Sequence, residues 1–169
     1  THCDIKPDNI LLTKDKIPKL CDFNSSINLN NKQNYSQLGG SVPYIAPEFH
    51  FLIPIDFLKA DIWSLGITLF VISEMKFPFR SEDDIDKGIV FIKTKNGKLE
   101  SIIKKCLVLD PSRRAEPIDL LNEPYLSVDE INSGDDADMI FIAKKDNINK
   151  LHTSPDLKSA KKMKRPKIL

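Results

Sequence analysis

The sequence has little net charge, few cysteines and no apolar run long enough to cross a membrane. Its 25 basic and 24 acidic residues give a net charge of +1, which predicts neither nucleic-acid binding nor general membrane attraction. Cys3, Cys21 and Cys106 show no CxxC or Cys/His ligand spacing, so a reduced intracellular compartment is expected rather than disulfides or zinc. The polar start is no signal peptide. The longest apolar stretch, residues 62–72, predicts a buried helix and no transmembrane segment.

Length and composition predict one domain followed by a tail. The chain has 169 residues, of which 41% are hydrophobic and 29% charged, as in ordinary soluble domains. An acidic segment (127–138) and a basic one (156–169) predict a disordered tail of opposed charge blocks. Between them, "MIFIAKK" is expected to form a brief strand or to dock on the domain. The basic run "KKMKRPK" fits a nuclear-import signal or a solvated tail equally well.

The first part of the domain reads as a hairpin followed by loops. Two short apolar runs, "NILL" and "PKLCDF", flank the polar "TKDK" and predict two strands with Leu11 and Leu20 on one face. Residues 24–40, rich in Asn, Ser and Gly, predict a surface loop of functional length. The next segment, "SVPYIAPEF", contains two prolines and is expected to be extended and anchored.

Apolar periodicity predicts helices in the remainder of the domain. Asp61 is expected at the start of a helix, "IWSLGITLFVISEM", that is hydrophobic almost all round and ends before the proline of "FPFR". In "GKLESIIKKCLVL" the apolar residues follow the spacing of one helix face. Pro117 suits the first turn of a last short helix.

The stretch "HCDIKPDN" carries three polar groups with distinct chemistry. Asp4 offers a carboxylate that can accept a hydroxyl proton, Lys6 an ammonium that can neutralise a phosphate, and Asn9 an amide oxygen that can bind Mg²⁺. This set suits phosphoryl transfer, which depends on positioning and charge neutralisation. Asp22 ends the second predicted strand, and the hairpin can return it beside Asn9 as a second metal contact. The alternative interpretation is a polar turn between structural elements.

Five motifs in order resemble the eukaryotic protein kinase family. The string H-x-D-x-K-x-x-N, followed by D-F-x, resembles its catalytic and metal-binding loops. "GSVPYIAPE" resembles the end of the activation segment, "DIWSLG" the start of the buried central helix, and "DPSRR" a late C-lobe element. The resemblance covers residues 1–126. It implies a mainly α fold, namely a protein kinase-like C-lobe with a small β-hairpin and without the N-lobe. Residues 127–169 are then a charged, disordered tail.

The resemblance also implies roles for the residues that face substrate and cofactor. Asp4 is the expected catalytic base or orienter of the substrate hydroxyl. Lys6 contacts the transferring phosphate of ATP, and its place two residues after the aspartate is the serine/threonine-kinase form. Asn9 and Asp22 are the expected Mg²⁺ ligands. Ser41 occupies a position that faces the substrate near Asp4.

Other matching residues are expected to be structural. The resemblance implies that His2 packs and hydrogen-bonds the catalytic loop. Glu48 and Arg114 are expected to form a buried ion pair that holds the activation segment to the lobe. Asp61 is expected to hydrogen-bond the backbone of the catalytic loop.

Two positions depart from the family pattern. Cys3 stands where an arginine usually clamps a phosphorylated activation loop. Phosphorylation of the loop is therefore expected to control activity less strongly. The candidate positions are Ser25, Ser26, Tyr35 and Ser36. Asn24 replaces the glycine of D-F-G, and asparagine is the next most tolerant residue at positive φ.

The sequence lacks the Gly-rich loop, the strand lysine and the partner glutamate of a kinase N-lobe. We therefore expect a serine/threonine protein kinase that transfers the ATP γ-phosphate to protein hydroxyls, present as a fragment that is inactive alone. The start at Thr1 fits either removal of an initiator methionine or a cut from a longer chain. The alternative function is a pseudokinase or lone-lobe binding module without catalysis. Expected partners are a protein substrate, ATP, and an import receptor or anionic surface for the tail, in the cytoplasm or nucleus.

Overall fold

A computed structural model describes residues 1–30, 40–50, 55–86 and 90–126. Within these ranges the chain is mainly helical with one two-stranded antiparallel sheet, as predicted. None of the helices in the described part combines the length and hydrophobicity that a bilayer crossing requires. The regular elements are strands β1 (Ile10–Leu12) and β2 (Pro18–Leu20) and helices α1 (Phe57–Glu74), α2 (Glu82–Asp86), α3 (Gly97–Cys106) and α4 (Pro117–Leu121).

The hairpin forms where the sequence predicts it, but its faces differ from the prediction. Ile10 pairs with Leu20, and Leu11 pairs with Lys19. Because paired residues share a face and successive residues alternate, Leu11 and Leu20 lie on opposite faces, and the prediction of a shared face is wrong. Both are exposed, Leu11 at 56% and Leu20 at 39%. The hairpin therefore buries neither face within the described residues.

The segment 40–50 is anchored as predicted, but the prediction of an extended backbone is wrong. It forms two single-turn 3-10 helices, Val42–Tyr44 and Pro47–Phe49. A proline lies in the first turn of each, where its fixed φ is favourable and its missing N–H costs nothing. Tyr44 and Ala46 are buried in the core. The prolines therefore initiate turns here instead of extending the chain.

Helix α1 begins one turn earlier than predicted. Asp56 caps it, because its carboxylate accepts hydrogen bonds from two amides of the first turn. Asp61 therefore lies inside the helix and not at its start. The helix ends before Met75, which adopts a left-handed conformation with φ of 53°, so its end precedes the proline of "FPFR". Buried residues occur on all sides of α1, as its apolar sequence predicts.

Helices α1 and α3 cross closely at Gly66 and form the centre of the core. A Cβ atom at Gly66 would lie 2.6 Å from the Cβ atom of Cys106 and 2.8 Å from a side-chain carbon of Leu107. Only glycine therefore allows this crossing. The predicted apolar face of α3 is buried against α1, including Ile102 and Ile103.

The remaining predictions concern the last helix, the loop 24–40 and the tail. Helix α4 begins at Pro117, as predicted, and Glu116 and Asp119 form a capping box around its first turn. Helix α2 was not predicted. Residues 31–39 of the predicted loop 24–40 lie outside the described residues. The whole of the predicted tail, 127–169, also lies outside them.

Candidate active site

The loop with the predicted catalytic residues is held against helix α1. Asp61 accepts hydrogen bonds from the backbone amides of His2, at 2.6 Å, and Cys3, at 2.8 Å. Further along α1, the hydroxyl of Thr68 donates to the carbonyl of Ile5 at 3.5 Å. Charge-assisted bonds of the Asp61 type are among the stronger hydrogen bonds in proteins. The buried helix therefore positions the loop backbone.

His2 is buried and joins the loop to the end of the hairpin. Its Nδ1 atom accepts the amide hydrogen of Asp4 at 3.3 Å, so the proton lies on Nε2, which donates to the carbonyl of Cys21 at 3.0 Å. The ring also makes an edge contact with Phe23, with centroids 4.8 Å apart. These contacts connect the loop to the residues on both sides of Asp22.

Asp4 is the centre of a polar network that joins four of the predicted residues. Its Oδ2 atom accepts hydrogen bonds from Lys6 Nζ at 2.8 Å and from Asn9 Nδ2 at 3.1 Å. Its Oδ1 atom accepts the amide hydrogen of Ser41 at 2.9 Å. Lys6 Nζ also donates to the hydroxyl of Ser41 at 2.6 Å. The structure thus brings together residues separated by 37 positions in the sequence.

The charge state of Asp4 follows from these contacts. Burial by itself raises the pKa of the carboxyl group, since its side chain is only 11% exposed. The hydrogen bond and positive charge of Lys6, together with the hydrogen bonds from Ser41, outweigh burial and lower the pKa below its usual range. Asp4 is therefore a carboxylate at neutral pH. It can accept a hydrogen bond from a hydroxyl group.

Asn9 and Asp22 provide oxygen atoms of the kind that Mg²⁺ prefers. Both donor hydrogens of the Asn9 amide point at Asp4, to its carbonyl at 2.9 Å and its carboxylate. The amide oxygen of Asn9 accepts no hydrogen bond within the described ranges. The amide of Cys21 donates to the carbonyl of Asn9 at 2.9 Å, which places Asp22 one residue from that contact. The hairpin thus returns Asp22 to the neighbourhood of Asn9.

The side chain of Asp22 is available for a ligand. It is exposed, and its Oδ1 atom accepts one long hydrogen bond, from the Asn24 amide at 3.4 Å. The residue is held in a left-handed conformation with φ of 62°. One amide oxygen and one carboxylate fit part of an Mg²⁺ shell, which usually includes waters and phosphate oxygens. In the described part of the chain, no group of three His, Cys, Asp or Glu residues is placed to hold a metal.

The structure changes the interpretation of the two departures from the family pattern. Asn24 lies in a 3-10 turn, Phe23–Ser25, and is not among the described residues with positive φ. The positive φ occurs at Asp22 instead, so tolerance of positive φ is not what Asn24 supplies. Cys3 itself has a φ of 63°. Burial and the negative charge of Asp61 raise the pKa of its thiol despite a hydrogen-bond contact with Thr1.

Glu48 and Arg114 form a buried bidentate ion pair apart from the Asp4 network. The Arg114 Nη1–Glu48 Oε1 distance is 2.7 Å and the Nη2–Oε2 distance is 2.9 Å, with both side chains fully buried. The guanidinium lies over the Trp63 ring, 5.2 Å from its centroid. The remaining guanidinium hydrogens bind backbone carbonyls, those of Lys59, Val108 and Leu109. The pair thus joins segment 40–50 to the end of the domain.

Lys59 is a member of this buried cluster that the sequence analysis missed. Its ammonium donates to the carbonyl of Arg114 at 2.6 Å and pairs with Glu116 at 2.5 Å. The available signal was a lysine within the apolar stretch "FLKADIW", since a buried lysine needs a partner. Lys59 fixes the backbone of the residue whose side chain binds Glu48.

Comparisons with known proteins agree with the geometry. The family model for the protein kinase domain matches residues 1–126. The chain is 38% identical to serine/threonine-protein kinase kin-29 of Caenorhabditis briggsae over 120 residues, which cover 67% of this chain and 15% of that protein. It is 32% identical to putative sperm motility kinase W of Mus musculus over 139 residues, covering 78% of this chain and 28% of that protein.

A third relative is serine/threonine-protein kinase pakE of Dictyostelium discoideum. It is 35% identical over 136 residues, which cover 74% of this chain and 15% of that protein. The chain therefore spans only 15% to 28% of the length of these three relatives. With the family model matching most of its length and the network around Asp4 in place, the chain belongs to the protein kinase family.

Proposed function

We propose that this chain carries the substrate and metal side of a serine/threonine protein kinase active site. The reaction is transfer of the ATP γ-phosphate to a serine or threonine hydroxyl of a protein. The observation that carries the proposal is the arrangement around Asp4. Its ionised carboxylate accepts three hydrogen bonds, and one of the donors is an ammonium that also binds the Ser41 hydroxyl.

Asp4 is the residue that orients the attacking hydroxyl. Because its pKa is lowered, it remains an acceptor at neutral pH and holds the hydroxyl with its oxygen directed at the phosphate. Lys6, with a side chain 19% exposed, can turn part of its charge toward a transferring phosphate. The Ser41 hydroxyl accepts a hydrogen bond from that ammonium at 2.6 Å, and we propose that this residue faces the substrate. The three side chains supply position and charge, which is what this transfer requires.

Asn9 and Asp22 are the residues that would hold Mg²⁺. The metal, when bound, neutralises negative charge on the phosphates of ATP. Asn9 can contribute because both its amide hydrogens bind Asp4, which fixes the side chain. Asp22 can contribute because its carboxylate is exposed and held by the turn that follows.

We infer that the 169-residue chain does not transfer phosphate alone. Its sequence contains no Gly-rich phosphate-binding loop and no strand lysine of the family type. ATP binding of the family type would then need residues that the 169-residue chain does not supply. A lone-lobe binding module is the second candidate, favoured by the exposed apolar side chains Leu11, Ile17 and Phe23.

Phosphate transfer from labelled Mg-ATP to serine, threonine and tyrosine peptide pools tests the proposal. Two proteins are assayed, the 169-residue chain and the full product of its gene. The full product is expected to label serine and threonine peptides, the isolated chain to label none, and Asp4→Asn to lower labelling by about 100-fold or more. Transfer at the wild-type rate in Asp4→Asn would contradict the assigned role, and a full product without transfer would favour the binding module.

A further inference from the structure

Helix α4 presents an apolar surface that nothing in the described part of the chain covers. Ile118 is 60% exposed and Leu121 71% exposed, while Leu120 between them is buried in the core. The two exposed residues lie three positions apart, so they share one side of the helix. Leu126, at the end of the following turn, is 39% exposed. We call Ile118, Leu121 and Leu126 the α4 patch.

A groove with basic residues adjoins the α4 patch. Asp119 and Asn122 of the α4 region line it. Because a helix turns by about 100° per residue, Asn122 lies next to Ile118 around the helix axis, so the groove borders the patch. Its basic lining residues are Lys104, Lys105 and Arg113. The two lysines have partners in Glu100 and Glu123. The guanidinium of Arg113 makes no hydrogen bond within the described residues, so one cation of the groove is available.

The chain continues for 43 residues beyond the patch, and one segment of that continuation has matching chemistry. Residues 139–143, "MIFIA", form the only run of more than two consecutive apolar residues after residue 126. Residues 127–138 connect it to Leu126 and contain five acidic and no basic residues. These twelve residues can span up to roughly 40 Å. A domain of 126 residues has a radius of gyration of only about 14 Å, so the segment can reach the patch.

We propose that residues 139–143 dock on the α4 patch, with the acidic connection 127–138 lying along the groove beside Arg113, the one basic residue of its lining that has no acidic partner in the described part of the chain. The apolar side chains of the segment cover Ile118, Leu121 and Leu126 and remove them from water. The acidic connection faces the available guanidinium of Arg113. This docking attaches residues 139–143 to the domain and does not depend on catalytic activity.

The tether favours this occupant over a second copy of the chain. A segment joined by a short flexible connection meets its own patch at an effective concentration in the millimolar range. A second copy of the chain at micromolar concentration competes poorly for the patch with a tethered segment at millimolar effective concentration. Docking within one chain is therefore expected to be independent of protein concentration.

Hydrogen exchange of the full 169-residue chain, measured by mass spectrometry, tests the proposal. Phe141→Asp is expected to speed exchange of the backbone amides in 117–126 by about tenfold. Leu151→Asp, which also replaces an apolar side chain by a carboxylate but lies outside the segment, is the matched control and should leave those amides unchanged. Exchange in α3 should be the same in all three proteins, which shows that the domain remains folded.

The reciprocal variant is made on the patch. Leu121→Asp is expected to speed exchange in peptides covering 139–143, while Leu11→Asp, at an exposed leucine of the hairpin, should not. If Phe141→Asp also speeds exchange in α3, the comparison of Leu121→Asp with Leu11→Asp decides. Equal exchange in 117–126 for the wild type and Phe141→Asp would overturn the proposal. Protection that disappears on dilution would also overturn it, since the occupant would then be a second copy.

Discussion

The first 30 residues and the helical region from residue 55 onward are held together by different forces. In the first region the hairpin exposes its leucines on both faces, and the loop around Asp4 is fixed mainly by hydrogen bonds. In the helical region α1 and α3 bury Trp63, Ile67 and Ile103 almost completely. The polar region thus has little core of its own and receives its position from α1 through Asp61.

This difference suggests a division of roles. Apolar burial stabilises the helical region, since burying one large aliphatic or aromatic side chain contributes roughly 1.5–3 kcal/mol. The net contribution of a hydrogen bond to stability is smaller, about 0.5–1.5 kcal/mol. Changes in the helical region should therefore unfold the domain. Changes in the polar region should alter the site and leave the domain folded.

The largest effect is expected at Arg114. Arg114→Ala leaves the Glu48 carboxylate buried without its partner, which should lower the free energy of unfolding by about 3–5 kcal/mol. Urea denaturation measures the change. Arg113→Ala, at the exposed neighbouring residue, is the matched control and should stay within about 0.5 kcal/mol of the wild type. Equal effects of the two substitutions would show that the ion pair does not hold the domain together.

The next effect is expected at the helix crossing. Gly66→Ala adds a methyl group within 3 Å of Cys106 and Leu107, so it should cost about 1–3 kcal/mol in unfolding free energy. Gly97→Ala is the control, because a Cβ atom there meets nothing within 4 Å. It should be neutral or stabilising by up to about 1 kcal/mol. Thermal unfolding of both variants tests the crossing, and a tolerated Gly66→Ala would contradict it.

An effect of similar size, but confined to the loop, is expected at Asp61. Asp61→Ala removes the acceptor for the amides of His2 and Cys3 and should weaken the loop by about 1.5–3 kcal/mol. Hydrogen exchange at these two amides should become faster, while exchange in α3 stays unchanged. Asp56→Ala, which removes a helix cap on the same helix, should leave the loop amides unaffected. Loop amides that keep their protection in Asp61→Ala would mean that the loop does not depend on α1.

The smallest effect on stability concerns the ionisation of Asp4. Because the folded-state pKa lies below the ordinary value, Asp4 contributes stability above the unfolded-state pKa, and this is lost as pH falls through the folded value. Lys6→Met should raise the pKa, since burial is then opposed only by the hydrogen bonds from Ser41 and Asn9. Carbon-13 NMR titration of the carboxyl measures it, with Lys14→Met on the exposed hairpin turn as the control. An unchanged pKa in Lys6→Met would contradict the network.

The sequence predicted which main helices the fold contains better than it predicted where they begin. The apolar residues of α1 and α3 and the position of Pro117 identified three helices, because periodic burial and proline at a first turn leave clear patterns. Helix α2 was missed because its five residues are too few for periodicity. The start of α1 was placed at Asp61, although Asp56 is also a residue type that caps helices.

Other features depend on contacts between distant residues. The faces of Leu11 and Leu20 follow from strand register, which two apolar runs of uncertain length do not determine. The Asp4 network includes Ser41 only because segment 40–50 folds back onto the loop. Lys59 was overlooked because its partners, Arg114 and Glu116, are more than 50 positions away. Motif resemblance predicted the residues of the site, and the structure supplied the distances between those that it brings together.

The most direct test of the account measures transfer and stability on one variant, Asp4→Asn, in the full product of the gene. An asparagine can still accept the Ser41 amide but loses the ionic contact with Lys6, so the midpoint of urea unfolding should fall only slightly and the domain should remain folded. Phosphate transfer to serine and threonine peptides should fall by about 100-fold or more, because the charged acceptor for the hydroxyl is lost. Transfer at the wild-type rate, or loss of transfer together with unfolding, would contradict the account.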